Sequence, residues 1–392
     1  MKDFDIIIYG ASGFTGRLVA EYLARRDKDD SAREWAPKWA MAGRSKEKLA
    51  AVRDEIGAPA STPLVIADAN DPASLKTLAE RAKCVISTVG PFQLYGEPLV
   101  AACVNAGTDY ADLCGEPNWI RTMIDKYDDA AKASGARIVF SSGFDSIPFD
   151  LGVWFNQQET QKAFGEPARE VRGLVRAMKG TFSGGTAESM KITMAAAFKD
   201  PSVIELLKNP FALTPGFNGP DQPPMSKPRY DEAFGAWLAP FVMATINTKN
   251  VHRSNFLTGF PYGEDFRYSE MVMAGPGEKG EKTANAIASD TSLLGEEAPK
   301  PGEGPAKEER ETGYYDVLFI GETANGDFMR THCKGDKDPG YGSTSKMIAE
   351  SAICLLRDAT NTGGGVLTPV AAMAPALLKR LEANAGLSFG RE

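Results

Sequence analysis

The stretch Ile6-Ile7-Ile8-Tyr9-Gly10-Ala11-Ser12-Gly13-Phe14-Thr15-Gly16 decides the fold of this chain of 392 residues. An uncharged apolar run ends in three glycines spaced by three, and a helical apolar pattern follows at once in Leu18, Val19, Tyr22 and Leu23. The stretch therefore predicts a buried strand, a tight turn and a helix.

The three glycines suit a turn that holds a pyrophosphate. A side chain at Gly10 or Gly13 would keep the phosphates away from the main-chain amides and from the positive end of the helix dipole, and Gly16 lets the helix lie close to the strand. The spacing Gly-x-x-Gly-x-x-Gly meets the usual dinucleotide fingerprint only loosely, and three glycines can also form an ordinary turn. Because a strand precedes the turn and a helix follows it, we predict a dinucleotide site with contacts from Gly10, Ser12, Gly13, Phe14, Thr15 and Gly16.

The end of the second predicted strand, Trp39-Ala40-Met41-Ala42-Gly43-Arg44, indicates which dinucleotide is bound. NAD-binding folds place a carboxylate at this strand end, where it accepts from the ribose 2′-hydroxyl and would repel a 2′-phosphate. This chain has Arg44 followed by Ser45, and a guanidinium can hold a phosphate through two parallel hydrogen bonds. We therefore predict NADP(H) as the cofactor, although the same residues also fit an exposed helix start.

Strands alternate with helices of ten or more residues up to about residue 150, which predicts a doubly wound parallel sheet, the Rossmann fold. Predicted strands cover 64–68, 84–89, 108–112 and 137–141, and predicted helices cover 46–56, 72–82, 97–106 and 118–134. Ligands bind at the carboxyl ends of such strands. At these ends we place the remaining cofactor contacts, which are Asp68, Thr88, Val89, Gly90, Pro91, Gly115 and Glu116. A helix N-cap is an equally good role for Asp68.

Beyond residue 150 the alternation stops, and a second region of the α+β class is expected. We predict a strand at 170–179, a helix at 187–198, a wrapping loop at 201–229, a partly mobile segment at 275–313, a hairpin around Asn325-Gly326 and a helix at 344–356. The aromatic, uncharged stretch 234–246 suits a buried helix, a dimer seam or the wall of an apolar substrate tunnel. The apolar stretch 366–378 suits buried core or a surface that touches lipid.

Composition excludes several classes of protein. The net charge is 44 minus 52, or −8 at pH 7, without a local basic patch, so nucleic acid is not expected as a partner. The five cysteines show no Cys-x-x-Cys spacing and are expected to be reduced thiols in the cytoplasm. Glycines and prolines interrupt the longest uncharged run, so a transmembrane helix is not expected. A signal peptide is not expected either, because the first predicted strand begins by residue 4 and is needed by the fold. A peripheral membrane contact and a homodimer stay open.

Several motifs of this chain resemble those of the saccharopine dehydrogenase-like oxidoreductases. They are Gly-Ala-Ser-Gly-Phe-Thr-Gly at 10–16, Ala42-Gly43-Arg44, Gly143-Phe144-Asp145-Ser146-Ile147-Pro148 with Asp150-Leu151-Gly152, Ser183-Gly184-Gly185-Thr186, Pro339-Gly340-Tyr341, and Gly364-Gly365-Val366-Leu367-Thr368-Pro369. Within that group the chain is most similar to the mycobacterial trans-acting enoyl reductases, over nearly its whole length.

The resemblance implies an architecture and an activity. It implies an NADP-binding Rossmann domain at 1–150, a substrate and dimerisation domain of the α+β class at 151–338, and C-terminal helices at 339–392 that return to the first domain. It also implies reduction of an enoyl or related double bond in an apolar lipid or polyketide intermediate, so that the partner is a small apolar or acyl substrate.

The residues themselves offer few groups for such chemistry. Reduction of an enoyl group needs a hydride, a proton and donors to the enolate oxygen. None of the eleven tyrosines is followed by lysine four residues later, so the Tyr-x-x-x-Lys pair of short-chain dehydrogenases is absent. No Gly-x-Ser-x-Gly motif indicates a hydrolase, and neither histidine stands in a metal-ligand cluster, so no metal is expected. The remaining candidates for a donor or polarising group are Tyr95, Asp145, Ser146, Thr186 and Lys191.

Alternatives remain for these residues and for the function. A turn with a helix cap also explains Asp145 and Ser146, and a helix N-cap explains Thr186. Three functions stay open: an NADPH-dependent reductase of an apolar enoyl or carbonyl substrate, an NADP-binding sensor or partner protein without turnover, and an amino-acid dehydrogenase of the saccharopine type. The uncharged stretches 234–246 and 366–378 favour an apolar substrate over a charged amino acid.

Overall fold

A computed structural model describes residues 2–26, 36–295, 298–300 and 302–392. Strands β1 to β14 cover Phe4–Tyr9, Trp39–Gly43, Leu64–Ile66, Ala82–Ser87, Asp109–Asp112, Arg137–Val139, Ala168–Lys179, Arg229–Asp231, Ala236–Pro240, Arg267–Gly275, Tyr314–Thr323, Phe328–Gly335, Gly365–Leu367 and Leu387–Arg391. Helices α1 to α15 cover Phe14–Arg26, Lys46–Glu55, Pro72–Arg81, Phe92–Tyr95, Glu97–Ala106, Pro117–Ser134, Ile147–Phe164, Gly184–Lys199, Pro201–Lys208, Ala244–Leu257, Gly277–Ala288, Lys307–Thr312, Thr344–Arg357, Pro369–Met373 and Ala376–Asn384.

The first sheet confirms the predicted Rossmann fold. Seven strands of the described chain lie in the order β13-β6-β5-β4-β1-β2-β3, and every neighbouring pair is parallel. Ile6 and Ile8 pack into the core on one face, and Ile7 packs into the core on the other. This double burial explains why the strands are continuous apolar runs. Strand β13 comes from the C-terminal segment, which thereby returns to the first sheet as expected.

The second sheet is mixed and has the order β14-β12-β11-β7-β10-β9-β8. Strands β7 and β10 are parallel, and the other neighbours are antiparallel. Strands β11 and β12 form the predicted hairpin around Asn325-Gly326. The chain ends in β14 of this second sheet, so its last fifty residues contribute a strand to each sheet.

In the second half, one of the three interpretations of 234–246 is wrong and one helix was not predicted, because tertiary burial outweighs the local pattern. The stretch 234–246 is not one buried helix, since β9 ends at Pro240 and α10 begins only at Ala244. Helix α10 is buried over most of its length, including polar residues such as Asn247 and Lys249, so it lacks the apolar stripe of a surface helix. Helix α7 was not predicted for a similar reason, because it packs against the second sheet and carries polar buried residues in its second half.

One further segment differs from expectation, and the structure defines two others more closely. The predicted loop at 201–229 begins with α9, which has Pro201 in its first turn and the Asp200 side chain as its N-cap. The segment 275–313 contains α11 and α12, whose Glu and Lys residues are good helix formers. Residues 296, 297 and 301 of this segment lie outside the described residues, and its partial mobility stays a prediction. The stretch 366–378 forms β13, α14 and the start of α15, and Val366 and Leu377 are completely buried, so this stretch belongs to the core.

No helix within the described ranges is both long enough and apolar enough to cross a bilayer. The same ranges contain no cluster of three or more His, Cys, Asp or Glu side chains that could bind a metal ion. The domain limits 1–150, 151–338 and 339–392 stay predictions, and a peripheral membrane contact and a homodimer stay open.

Candidate active site

The glycine turn joins β1 to α1 with very little space around its backbone. Gly10 has a φ of +90°, and a β-carbon there would lie 2.7 Å from Thr88 Oγ1. A β-carbon at Gly16 would overlap the carbonyl oxygen of Gly10. The first amides of α1 face outward without partners within the helix, as at any helix start. The turn can therefore bring main-chain donors and the helix dipole close to an anion, as predicted.

The ends of β2 and β3, which lie on the same side of β1 in the sheet, bring Arg44 and Asp68 near Tyr9. Both charges act on the pKa of Tyr9, which burial raises to about 12. The Arg44 side chain is exposed and makes no hydrogen bond or ion pair within the described ranges. Ser45 caps α2 by accepting from Lys48 N at 3.2 Å. The alternative role proposed for Asp68 belongs to another residue, since the N-cap of α3 is Asp71.

The loop after β4 is held in place by Glu116. One carboxylate oxygen of Glu116 accepts from Phe92 N at 3.0 Å, and the other accepts from Gln93 N at 2.8 Å. The hydroxyl of Ser189 in α8 donates to the same carboxylate at 2.8 Å. Glu116 is 2% exposed, so its oxygens are committed to these donors. Glu116 therefore fixes the start of α4, which directly follows the loop Thr88–Pro91, and Thr88 itself donates to Tyr9 O at 3.1 Å.

A cavity of about 70 Å³ lies where elements of the second sheet meet the carboxyl ends of the first. Its apolar lining includes Phe144, Met178, Phe182, Phe241, Met243 and Pro339. The polar side chains among the lining residues are those of Asp145, Thr181, Thr186 and Tyr341. The composition of this lining, an apolar wall with a few polar groups, is that of a small-molecule site, while the volume is below the range of about 300–1,000 Å³ of such sites, so a substrate must displace some of the lining to enter.

Asp145 is the acidic group of this cavity. It lies against the end of β5, because a β-carbon at Gly115 would be 2.7 Å from Asp145 Oδ2. Part of the residue remains accessible, but protein surrounds its carboxyl group, and the loss of hydration raises its pKa to about 7. A carboxyl group with such a pKa can hold and release a proton at neutral pH.

Tyr341 and Thr186 form a hydroxyl pair in the same cavity. The hydroxyl of Tyr341 accepts from Ser183 N at 2.6 Å and lies 3.0 Å from Thr186 Oγ1. Burial raises the pKa of Tyr341, so its hydroxyl stays protonated and can donate. The Tyr341 ring also contacts Phe14, with ring centroids 5.2 Å apart. Tyr341 thus connects the cavity to the glycine turn.

Comparison with known proteins identifies the family. The NADP-binding domain of saccharopine dehydrogenase matches residues 6–139. A Mycobacterium tuberculosis protein with a provisional assignment as a trans-acting enoyl reductase is 41% identical, over 99% of this chain and 97% of its own length. The trans-acting enoyl reductase of Mycobacterium ulcerans is 39% identical, over 97% of this chain and 96% of its own length. The chain belongs to the family of trans-acting enoyl reductases.

The fold agrees with this membership. Apo saccharopine dehydrogenase (L-Glu forming) from Saccharomyces cerevisiae superimposes with a TM-score of 0.54 at 12% identity, over 99% of this chain and 100% of that chain. Like other members of the family, the protein is an NADP-dependent oxidoreductase, and NADP(H) is its cofactor.

The described residues fit this cofactor. The space that a side chain would fill at Gly10 and Gly16 is kept free, which suits a turn built for a diphosphate. Arg44 carries a charge at the end of β2 without an internal partner, as a residue that binds a 2′-phosphate should. The first turn of α1, the end of β2 and the loop Thr88–Pro91 would hold the dinucleotide.

Three residues that the sequence analysis proposed as donors or polarising groups lie outside the cavity lining. Ser146 is buried and accepts from Asn250 Nδ2 at 2.9 Å. Lys191 Nζ donates to Gly295 O at 3.5 Å, and Tyr95 is 39% exposed in α4. None of these three residues lines the cavity, whereas Asp145 and Thr186 do. Sequence reasoning missed Tyr341, although the motif Pro339-Gly340-Tyr341 gave a signal.

Proposed function

We propose that this protein reduces the carbon–carbon double bond of an α,β-unsaturated acyl substrate with an apolar chain, using NADPH. The names of its relatives support enoyl reduction as the reaction. The observation that carries the proposal is the cavity itself, where the carboxyl group of Asp145 and the hydroxyl pair of Tyr341 and Thr186 share an apolar enclosure.

The reaction requires a hydride on the β-carbon and a proton on the α-carbon, with negative charge on the carbonyl oxygen between the two events. Bound NADPH supplies the hydride. The hydroxyl of Tyr341 donates to the substrate carbonyl oxygen, because its own oxygen already accepts from Ser183 N. Asp145 gives its proton to the α-carbon and regains one from solvent. The apolar wall excludes water and strengthens both interactions.

The lining of the cavity disfavours an amino-acid dehydrogenase. A substrate such as saccharopine carries carboxylate and ammonium groups, which need charged or strongly polar partners when they are buried. Among the described residues that line the cavity, only Asp145 and Tyr341 have ionisable side chains. No arginine, lysine or histidine of the described chain lines it. The sensor alternative is also disfavoured, because a binding protein without turnover has no need for an acid with a pKa near 7 beside a hydroxyl pair.

Turnover with a series of acyl thioesters tests this proposal. The purified protein is mixed with NADPH and 2-enoyl thioesters of increasing chain length, and NADPH oxidation is followed by absorbance. We expect NADPH to be oxidised only when the thioester carries the double bond, at a rate that rises with the length of the acyl chain. The saturated thioester of each length is the matched control. The proposal fails if NADPH binds but is not oxidised with any enoyl substrate, or if an α-keto acid with ammonia or an amine is the better substrate.

A further inference from the structure

A segment of the second half of the chain crosses the glycine turn. We define residues 302–310, which run from the described residue Gly302 into α12, as the strap. Gly184 N at the start of α8 donates to Glu303 O at 3.2 Å, which fixes one end of the strap beside the cavity. At Gly304 the backbone rests on the Phe14 ring, because a β-carbon there would lie 2.5 Å from Phe14 Cε1. The strap therefore touches the first residue of α1.

Arg310 is the basic residue that the strap brings to this point. Its Cζ lies 5.6 Å from the centroid of the Phe14 ring. Nη1 donates to Pro305 O at 2.6 Å, and Arg310 O accepts from Asp338 N at 3.1 Å. These two bonds hold the arginine in place and leave most of the five donors of its guanidinium group without a partner.

No carboxylate of the described chain lies within ion-pair distance of Arg310. The charge of Arg310 acts to lower the pKa of Asp338, which burial raises. The two carboxylate oxygens of Asp338 already accept from Tyr341 N at 3.0 Å and from Gly342 N at 2.7 Å. Arg17 offers a direct contrast, because its Cζ is 5.8 Å from the same Phe14 ring but its Nη1 pairs with Glu55 at 2.9 Å. Of these two arginines, Arg310 is the one whose charge is not neutralised by a pair.

We propose that Arg310 binds the diphosphate of NADP(H) and completes the cofactor site from outside the Rossmann fold. A diphosphate at the start of α1 carries two negative charges, and the helix amides alone do not neutralise them. The guanidinium of Arg310 supplies a planar pair of donors next to Phe14, which directly follows Gly13. Arg310 lies outside residues 6–139, the part matched as an NADP-binding domain. The cofactor is thereby held between the first sheet and the strap.

The proposal separates two phosphate contacts that binding measurements can tell apart. Arg44 is predicted to bind the 2′-phosphate, which NADPH has and NADH lacks, whereas Arg310 binds the diphosphate that both dinucleotides share. Calorimetry with the full chain therefore compares NADPH and NADH on wild type, Arg310→Gln and Arg44→Asp. Lys307→Gln is the matched control, because Lys307 is an exposed cation of the same short helix. No acyl substrate is present, so failure here is distinct from failure of the proposed reaction.

We expect Arg310→Gln to raise the Kd values of NADPH and NADH by the same factor, about 10- to 100-fold, which corresponds to the loss of one charge-assisted contact. Lys307→Gln should change neither Kd by more than about twofold, the range of an exposed charge. The proposal is overturned if Arg310→Gln leaves both Kd values within that range, or if it weakens NADPH alone, which would place the contact on the 2′-phosphate.

Two further measurements keep the proposal testable if Arg310→Gln does not fold. Arg310→Lys keeps the charge but loses the parallel donors, so both dinucleotides should bind about 3- to 10-fold more weakly. In the wild type, saturating NADPH should slow the hydrogen exchange of amides in the strap, residues 302–310, but not in α11, because the bound diphosphate holds the strap. Unchanged exchange in the strap would refute the proposal independently of any variant.

Discussion

The hydroxyl of Tyr341 lies 3.0 Å from Oγ1 of Thr186, although the two residues are 155 positions apart in the sequence. This contact joins the turn that precedes α13 to the start of α8 and sets two hydroxyl groups beside Asp145 in one cavity. The proposed reaction depends on this arrangement, because the enolate oxygen needs a donor that is fixed before the reaction begins.

Tyr341→Phe removes the proposed donor to the substrate carbonyl. We expect kcat with an enoyl thioester to fall by about 10- to 1000-fold, the range for loss of one such donor. The Kd of NADPH should stay within about twofold, since the hydroxyl faces the cavity. Tyr95→Phe is the control, because Tyr95 lies outside the cavity lining, and it should retain full activity. Equal activity of the two variants would remove Tyr341 from the mechanism.

Asp145 predicts the pH dependence of the reaction. Its pKa is raised to about 7, so its proton-donating form is complete well below that pH and falls tenfold for each pH unit above it. The value of kcat/KM should therefore fall tenfold for each pH unit above about 7, and we call this fall the alkaline limb of the pH profile. Asp145→Asn should lower the rate by about 100- to 10,000-fold and abolish the alkaline limb.

The control for this experiment is Glu270→Gln, which removes a buried acid whose pKa is raised to about 8 by burial but which does not line the cavity. This variant should keep the alkaline limb of the profile. A limb that survives in Asp145→Asn, or that vanishes in Glu270→Gln, would contradict the assignment.

Arg44→Asp tests the preference between the two dinucleotides. The variant replaces an unpaired guanidinium at the end of β2 with a carboxylate that repels a 2′-phosphate and accepts from a 2′-hydroxyl. We expect the Kd of NADPH to rise about 100-fold while that of NADH changes by less than about threefold. Lys38→Asp, which changes an exposed charge next to the opposite end of the same strand, should leave both values unchanged. An unaltered preference in Arg44→Asp would show that another residue reads the 2′-phosphate.

Asp150 predicts a loss of stability with rising pH. The carboxyl group is buried between α7 and the C-terminal segment, where it accepts from Ser254 Oγ at 2.7 Å and Val370 N at 3.1 Å. Burial raises its pKa from 3.8 to about 7. The folded state therefore favours the protonated acid, and its stabilising contribution is complete below about pH 4 and lost as the pH rises to about 7.

The corresponding measurement is urea denaturation of the wild type and Asp150→Asn across this pH range. The free energy of unfolding of the wild type should fall relative to that of the variant by at most about 4 kcal/mol between the two limits. A difference between wild type and variant that stays constant with pH would mean that the pKa of Asp150 is not raised in the folded protein.

The first half of the chain could be predicted closely from its sequence. Helix α5 was predicted with its observed limits, and Gly107 and Gly135 end α5 and α6 in the left-handed conformation that favours glycine. Buried parallel strands have continuous apolar sequences, which can be recognised directly. The glycine turn can be recognised from the spacing of its three glycines between a strand and a helix. These signals are all contained within a few neighbouring residues.

The rest depends on contacts between distant residues. Asp145 and Thr186 could be proposed as candidates because they follow predicted elements, but their meeting with Tyr341 could not. Helix α10 was misplaced because its buried polar residues find partners in other elements, such as Leu207 O for Lys249 Nζ. Local patterns cannot distinguish such a helix from an exposed one.

The most direct test of the proposed reaction traces the transferred hydrogen. The protein is incubated in ordinary water with NADPH deuterated at both positions of nicotinamide C4 and a long-chain 2-enoyl thioester, and the product is examined by mass spectrometry and NMR. The account predicts a saturated thioester with one deuterium, located on the β-carbon. Deuterium on any other carbon, or bound NADPH that transfers no deuterium to the acyl chain, would contradict it.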